Sequence, residues 1–249
     1  MARVQRIKIL IILGLMSLLT ALSGSSTNLA MPKISEDLMI SSSAATWIVS
    51  IGLITTAVLL VMFGHIGDLV SKNLVFLLGE VIFIVGSLLT GIAPTYFTIM
   101  AGRVVQAVGS AMIMANSMGI ISEYFPDATR AEALAVISMF ISIGSISGPA
   151  FGGILITWAS WRWIYLFNVP VGIFIVLAGM RVLPLRRPEP GEIRRVWQQA
   201  NWTGQNLFTG GMILMFASGY WLQQPMQFWL GTGVLAGGIF LTVLAFVQD

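Results

Sequence analysis

Long apolar runs, separated by short polar or proline-containing stretches, dominate this chain. Eight occur, at about 9–31, 45–65, 74–93, 97–121, 133–157, 162–183, 204–222 and 227–247. Each approaches the ~20 residues that a helix needs to cross a hydrocarbon layer ~30 Å thick. None alternates apolar and polar positions as a barrel strand would. Inside lipid the backbone must pair within its own segment, which leaves helices as the spanning element. The expected fold is therefore an all-α integral membrane bundle. The longest polar stretch divides it, giving a six-helix N-terminal bundle over 1–183, a linker over 184–203 and two additional transmembrane helices over 204–249.

Composition agrees with this reading. Hydrophobic residues make up 57% of the chain and charged residues 9%, with a mean hydropathy of +0.90, whereas soluble domains carry about 25% charged residues. The thirteen Lys and Arg are scattered between apolar runs, so the net charge of +3 forms no basic face and predicts no nucleic-acid partner. Their distribution sets orientation instead. With the N-terminus inside, Arg3, Arg6, Lys8, Lys72, Arg130, Arg181, Arg186, Arg187, Arg194 and Arg195 are internal, and only Lys33 and Arg162 are external. That bias predicts a multi-pass protein of the cell (inner or plasma) membrane with both termini cytoplasmic. Trp158, Trp161, Trp163, Trp221 and Trp229 fall near span ends, where aromatic rings meet headgroups. With no cysteine and one histidine, no metal centre or cofactor site is expected, and no nucleophile, base and orienting residue recur as a set, so an enzyme is not expected.

A few residues break the apolar pattern inside spans. Arg103 lies in the fourth run. A charge there is costly, so it should face a wet cavity or a polar partner, unless it snorkels to the nearby interface. Glu80, in the third run, is the one acid placed within a span; it is a candidate protonation site, with an interfacial or packing role as the alternative. The segment MIMANSMG offers soft methionine surface and the polar Asn116, for ligand contact or for packing. GSISGPAFGG in the fifth run holds Gly144, Gly148, Pro149, Gly152 and Gly153. Small residues there allow close helix approach, and Pro149 removes one helix hydrogen bond.

Read together, these segments resemble a known family. GSISGPAFGG resembles the GxxxGPxxGG motif of drug:proton antiporters of the major facilitator superfamily, and it lies on the fifth helix as it does there. AGRVVQAVGSAM resembles that family's RxxQGxG-like motif through Arg103, Gln106 and Gly109, and the resemblance implies a part in proton coupling for the arginine. GHIGDLVSKN resembles the GxLaDrxGrk loop through Gly64, Asp68 and Lys72, with Leu69 replacing a basic residue and Ser71 a glycine. In the family this loop is a cytoplasmic latch; solvated loop charges are the alternative for Asp68 and Lys72. PDATRAEA after the fourth run is similar to a family segment. WRWIYLFNVPVG, with the two extra spans, resembles the fourteen-helix branch. Two departures limit what carries over. Ser23 stands where LDxTIVNVALP would place its aspartate, and Gly52 stands where an aromatic residue often follows Trp47.

The resemblance implies the N-terminal half of a major facilitator fold plus two further helices. Such transporters rock two six-helix halves about a central site, so the expected function is proton-coupled efflux of small organic compounds. The chain is then an N-terminal half or truncated transporter whose partners are the bilayer, protons, a small-molecule substrate and a C-terminal half or second copy. The alternative is a non-transporting membrane protein, a regulatory partner or decayed half-transporter.

Overall fold

The computed structural model describes residues 3–185, 202–222 and 228–247. All regular structure among them is helical: α1 (Arg3–Asp37), α2 (Ser42–Leu69), α3 (Lys72–Gly91), α4 (Tyr96–Tyr124), α5 (Asp127–Trp158), α6 (Trp163–Leu166), α7 (Asn168–Val182), α8 (Trp202–Leu222) and α9 (Phe228–Val247). Helices α6 and α7 join into one span, so six spans long and apolar enough to cross a membrane precede α8. At 21 and 20 residues, α8 and α9 each reach about 30 Å. Most of the expected linker, with Arg186, Arg187, Arg194 and Arg195, lies outside the described residues, as does the side chain of Trp221.

Several helices outrun their apolar stretches because polar residues close their ends. At the end of α1, Lys33 pairs with Glu36 at 2.8 Å and Asp37 at 3.6 Å. Ser41 and Ser71 accept hydrogen bonds from the amides of Ala44 and Leu74, and Thr95 and Thr98 form a reciprocal capping box. Such caps satisfy amides that the helix itself leaves free.

Glycine sets the packing. On α3 and α4, Gly79 and Gly86 face Gly109 and Gln106, while Gly102 faces Thr90. A methyl group added at Gly109 would lie 2.6 Å from the Gly79 carbonyl oxygen, so only hydrogen fits between these backbones. The same device joins α1 to α5. Methyl groups on Gly144 and Gly148 would press on Leu18 O at 2.6 Å and Ser25 Cβ at 2.5 Å, and one on Gly152 would touch Ser26 at 3.0 Å. Ser25 and Ser26 then donate to the carbonyls of Ser145 and Gly148 across that seam. Without water to drive apolar surfaces together, close backbone approach and interhelical hydrogen bonds are what bind membrane helices. Helix α5 runs unbroken through Pro149.

Polar contacts tie both ends of the bundle. At one end Asn73 donates to Tyr124 Oη and Pro184 O, and Gln5 donates to Val182 O. At the other, Arg162 donates to Ala93 O and stacks 4.4 Å from the Trp161 ring. Trp161 departs from the expected headgroup position: it is fully buried, and its indole nitrogen donates to Asp37 at 2.8 Å. Trp158, Trp163 and Trp229 are exposed, as a lipid- or headgroup-facing ring would be.

Candidate functional site

A cleft of about 470 Å³ opens among the first five spans. Its walls come from α1 (Ser17, Thr20, Ser23), α2 (Gly52, Leu53, Thr56), α3 (Phe83), α4 (Arg103, Gln106, Met114, Met118) and α5 (Ile137, Ile141). Apolar surface dominates, with small hydroxyls spread across it. Among the described residues Arg103 is the one charged residue in that lining.

Arg103 does not snorkel. It is nine-tenths buried, with Nε donating to Ile48 O at 3.1 Å and Nη1 to Gln106 Oε1. Gly52 gives it room: a methyl there would lie 2.7 Å from Nη2 and 3.2 Å from Cζ. Behind the arginine a neutral network spans four helices. The Gln106 amide nitrogen donates to Ser87 Oγ at 2.7 Å and Ser23 Oγ at 3.4 Å. That of Asn168 donates to the same hydroxyls, at 3.3 and 2.9 Å respectively. All four of these residues are at least 98% buried. Buried polar groups bonded in this way lock helix positions. Among the described residues no carboxylate lies within ion-pair distance of Arg103.

The other predicted residues fall in three places. Gly109 forms the α3–α4 approach, and the glycines of the fifth helix form the α1–α5 seam; Gly153 meets only Leu29, at 3.5 Å. Asn116 ties α4 to α2, donating to Phe63 O at 3.2 Å and to Met112 O at 2.8 Å, and does not line the cleft; of its methionine neighbours, Met114 and Met118 do. Glu80, on α3, is fully buried, and both its carboxyl oxygens are unpartnered among the described residues. A methyl added at Gly179 of α7 would lie 3.8 Å from its Oε2 and 3.5 Å from Ile12 of α1, and Glu80 also lies outside the cleft lining.

The loop residues form a separate polar groove of about 330 Å³ at the α2–α3 end, lined by Asp68, Ser71, Lys72, Asn73, Glu123 and Tyr124 among others. There Asp68 pairs with Lys72 at 2.7 Å, and the Lys72 stem crosses Gly119 of α4. Gly64 meets only Ala115, at 3.8 Å. In the segment after α4, Asp127 pairs with Arg130 at 2.8 Å.

Sequence reasoning missed Ser87, Asn168 and the berth at Gly52. A polar residue in the middle of an apolar run was the available signal for the first two. Nothing short of the fold could pair Gly52 with an arginine on another helix.

The sequence profile described as Major Facilitator Superfamily matches residues 13–248. The chain belongs to the major facilitator superfamily. It is 34% identical over 180 residues to the riboflavin transporter RibZ of Clostridioides difficile (strain 630), covering 72% of this chain and 40% of that protein. It is 31% identical over 242 residues to the methylenomycin A resistance protein of Bacillus subtilis (strain 168), covering 97% of this chain and 50% of that one. This major facilitator chain thus spans half or less of the length of these relatives. Its fold matches a bacterial homologue of the human lysosomal transporter Spinster, in an inward-facing and occupied conformation. That match has a TM-score of 0.65 at 19% identity, covering 99% of this chain and 60% of the other.

Proposed function

We propose that this chain forms the amino-terminal side of a proton-coupled exporter of small, largely apolar organic compounds in the cell membrane. Six spans, α1 to α7, are one wall of the transport path; α8 and α9 are an appended pair beyond a cytoplasmic linker, and both termini are cytoplasmic. The observation that carries the reading is the central cleft, into which one buried arginine projects from a network spanning α1, α3, α4 and α7. An intramembrane charge held at a cavity marks a substrate or ion path. Helices α2 and α5 are the least covered of the six spans, with 17% of their apolar windows buried against 61% for α3. Such open faces suit an opposing wall, supplied by a second half or a second copy, because alternating access needs two bodies that rock about a shared site.

Arg103 and Gln106 are the proposed coupling residues, and Glu80 is the proposed proton carrier. The test is reconstitution into proteoliposomes with an imposed pH gradient. The chain is measured alone and together with the polypeptide encoded beside it or continuing its frame. Gradient-dependent dye movement is expected in the paired preparation and not in the chain alone. Absence of movement in both, with folded protein, would leave the non-transporting reading. Dye movement indifferent to the gradient would remove the proton coupling, and unchanged coupling in Glu80→Gln would remove Glu80 as its carrier.

A further inference from the structure

The central cleft has a charge imbalance that bears on what it can hold. Among the described residues its lining carries the Arg103 cation and no acidic side chain, and the one fully buried acid, Glu80, lies outside it. Two of the three guanidinium nitrogens are used, on Ile48 O and Gln106 Oε1. The third, Nη2, donates to no group among the described residues and lies over Gly52, itself part of the cleft wall, while the Tyr165 ring lies 6.0 Å from Cζ. Every acceptor that Arg103 uses among the described residues is neutral. Ser23, whose hydroxyl accepts from both Gln106 and Asn168, stands at the network's α1 corner, where a carboxylate would have supplied the missing counter-charge.

We propose that the cleft takes organic anions: compounds with an apolar, ring-sized body and one carboxylate or sulfonate. The anionic group sits on Nη2 of Arg103 beside Gly52. The apolar body packs against Leu53, Phe83, Ile137 and Ile141. The ligand, rather than the protein, then provides the negative partner of a cation held away from water, and a buried cation with no partner is the costly alternative. A ligand ammonium in the same place would meet like charge with no carboxylate in the lining to offset it. This inference rests on reading the cleft as the substrate site, and its test separates the two claims.

The full chain in zwitterionic lipid nanodiscs is equilibrated by dialysis with three size-matched probes: naphthalene-2-sulfonate, 2-naphthylmethanol and 2-naphthylmethylammonium. Empty nanodiscs provide the blank. Saturable sulfonate binding is expected, tighter than that of the ammonium probe by about tenfold or more. Ser23→Asp, which brings a carboxylate into the network, is expected to lose that preference or reverse it. Ammonium binding as tight as sulfonate binding in the unaltered chain would overturn the proposal, as would sulfonate binding untouched by a folded Ser23→Asp. Equal binding of the alcohol and the sulfonate would overturn it while leaving the cleft a ligand site. If none of the three probes binds, the reading of the cleft as a substrate site fails as well. Should Ser23→Asp not fold, the comparison of probes on the unaltered chain decides alone.

Discussion

Replacing Gly109 with alanine is expected to destabilise the bundle and disturb the network behind Arg103 through a single methyl group. That methyl would lie 2.6 Å from the Gly79 carbonyl oxygen, where ordinary contact begins at 3.4 Å. The shortfall there is about 0.8 Å, the Phe83 amide nitrogen is nearer still, and both obstacles are backbone, which cannot turn aside as a side-chain tip can. Helices α3 and α4 must therefore part locally by at least that amount. Gln106 lies one turn from Gly109 on α4, and its amide reaches Ser87 of α3 at 2.7 Å. Taken up wholly along that bond, the displacement stretches it to about 3.5 Å or beyond, the far limit of a hydrogen bond. Overpacking a tight interface costs about 1–3 kcal/mol, and losing one buried hydrogen bond adds about 1 kcal/mol. The expected loss is roughly 2–4 kcal/mol, read as a lower midpoint in detergent denaturation followed by tryptophan fluorescence. Gly24→Ala is the control, because among the described residues no atom beyond its own stretch of helix lies within 4 Å of the added methyl. It should be neutral or stabilising, since alanine favours helix over glycine by ~1 kcal/mol. Equal midpoints for Gly109→Ala and Gly24→Ala would refute the close-approach argument.

Three further outcomes follow from the same geometry. Trp161→Phe keeps a buried ring but removes the N–H donated to Asp37 at 2.8 Å, so a loss of about 1.5–3 kcal/mol is expected in the same assay; an unchanged midpoint would show that the indole bond adds nothing. Asp68→Asn breaks a partly exposed pair with Lys72 and should cost no more than ~1 kcal/mol, less at high salt; a larger, salt-insensitive loss would contradict a surface role for the pair. Glu80→Met removes two buried, unpartnered oxygens from an apolar seam and should stabilise by about 1–3 kcal/mol; a destabilised variant would mean that the carboxyl has a polar partner after all.

The helices were legible because a spanning segment must be apolar along its whole length, a one-dimensional property. Their ends were less so. The run at 9–31 became Arg3–Asp37, since helices continue into the polar layer where Lys33 and Asp37 pair on their surface. Trp161 shows the limit of a belt rule: its position near a span end was right, but its partner, Asp37, is 124 residues away in sequence. Arg103 was legible as an anomaly, and so was the expectation that it needs polar company. Which residues keep that company was not legible, because Ser23, Ser87 and Asn168 converge only when α1, α3 and α7 pack. Gly109 illustrates the reverse case. Its motif drew attention to it beside Arg103, whereas its measurable part in the structure is the backbone approach between α3 and α4.

Helix α3 shows why position on a span is not enough to assign a proton path. Glu80, Ile84 and Ser87 recur at helical spacing and so share one stripe, which faces the seam of α1 and α7. Ser87 belongs to the polar network, and Glu80 lies two turns away, about 10 Å along the axis. Between them Ile84 presses so closely on Gly172 that an added methyl would be 2.6 Å from its Cγ1, and Leu19 of α1 closes the same gap. An apolar plug thus separates the buried acid from the network at Arg103. For Glu80 to hand a proton to that network, α3 and α7 must separate at Ile84 and Gly172, or water must enter there during the cycle. Widening that gap with Ile84→Ala should then speed proton exchange without altering the cleft lining, of which Ile84 is not part. If coupling depends on Arg103 and Gln106 alone, the same substitution should leave exchange unchanged and lower stability only by the cost of the cavity, about 2–5 kcal/mol.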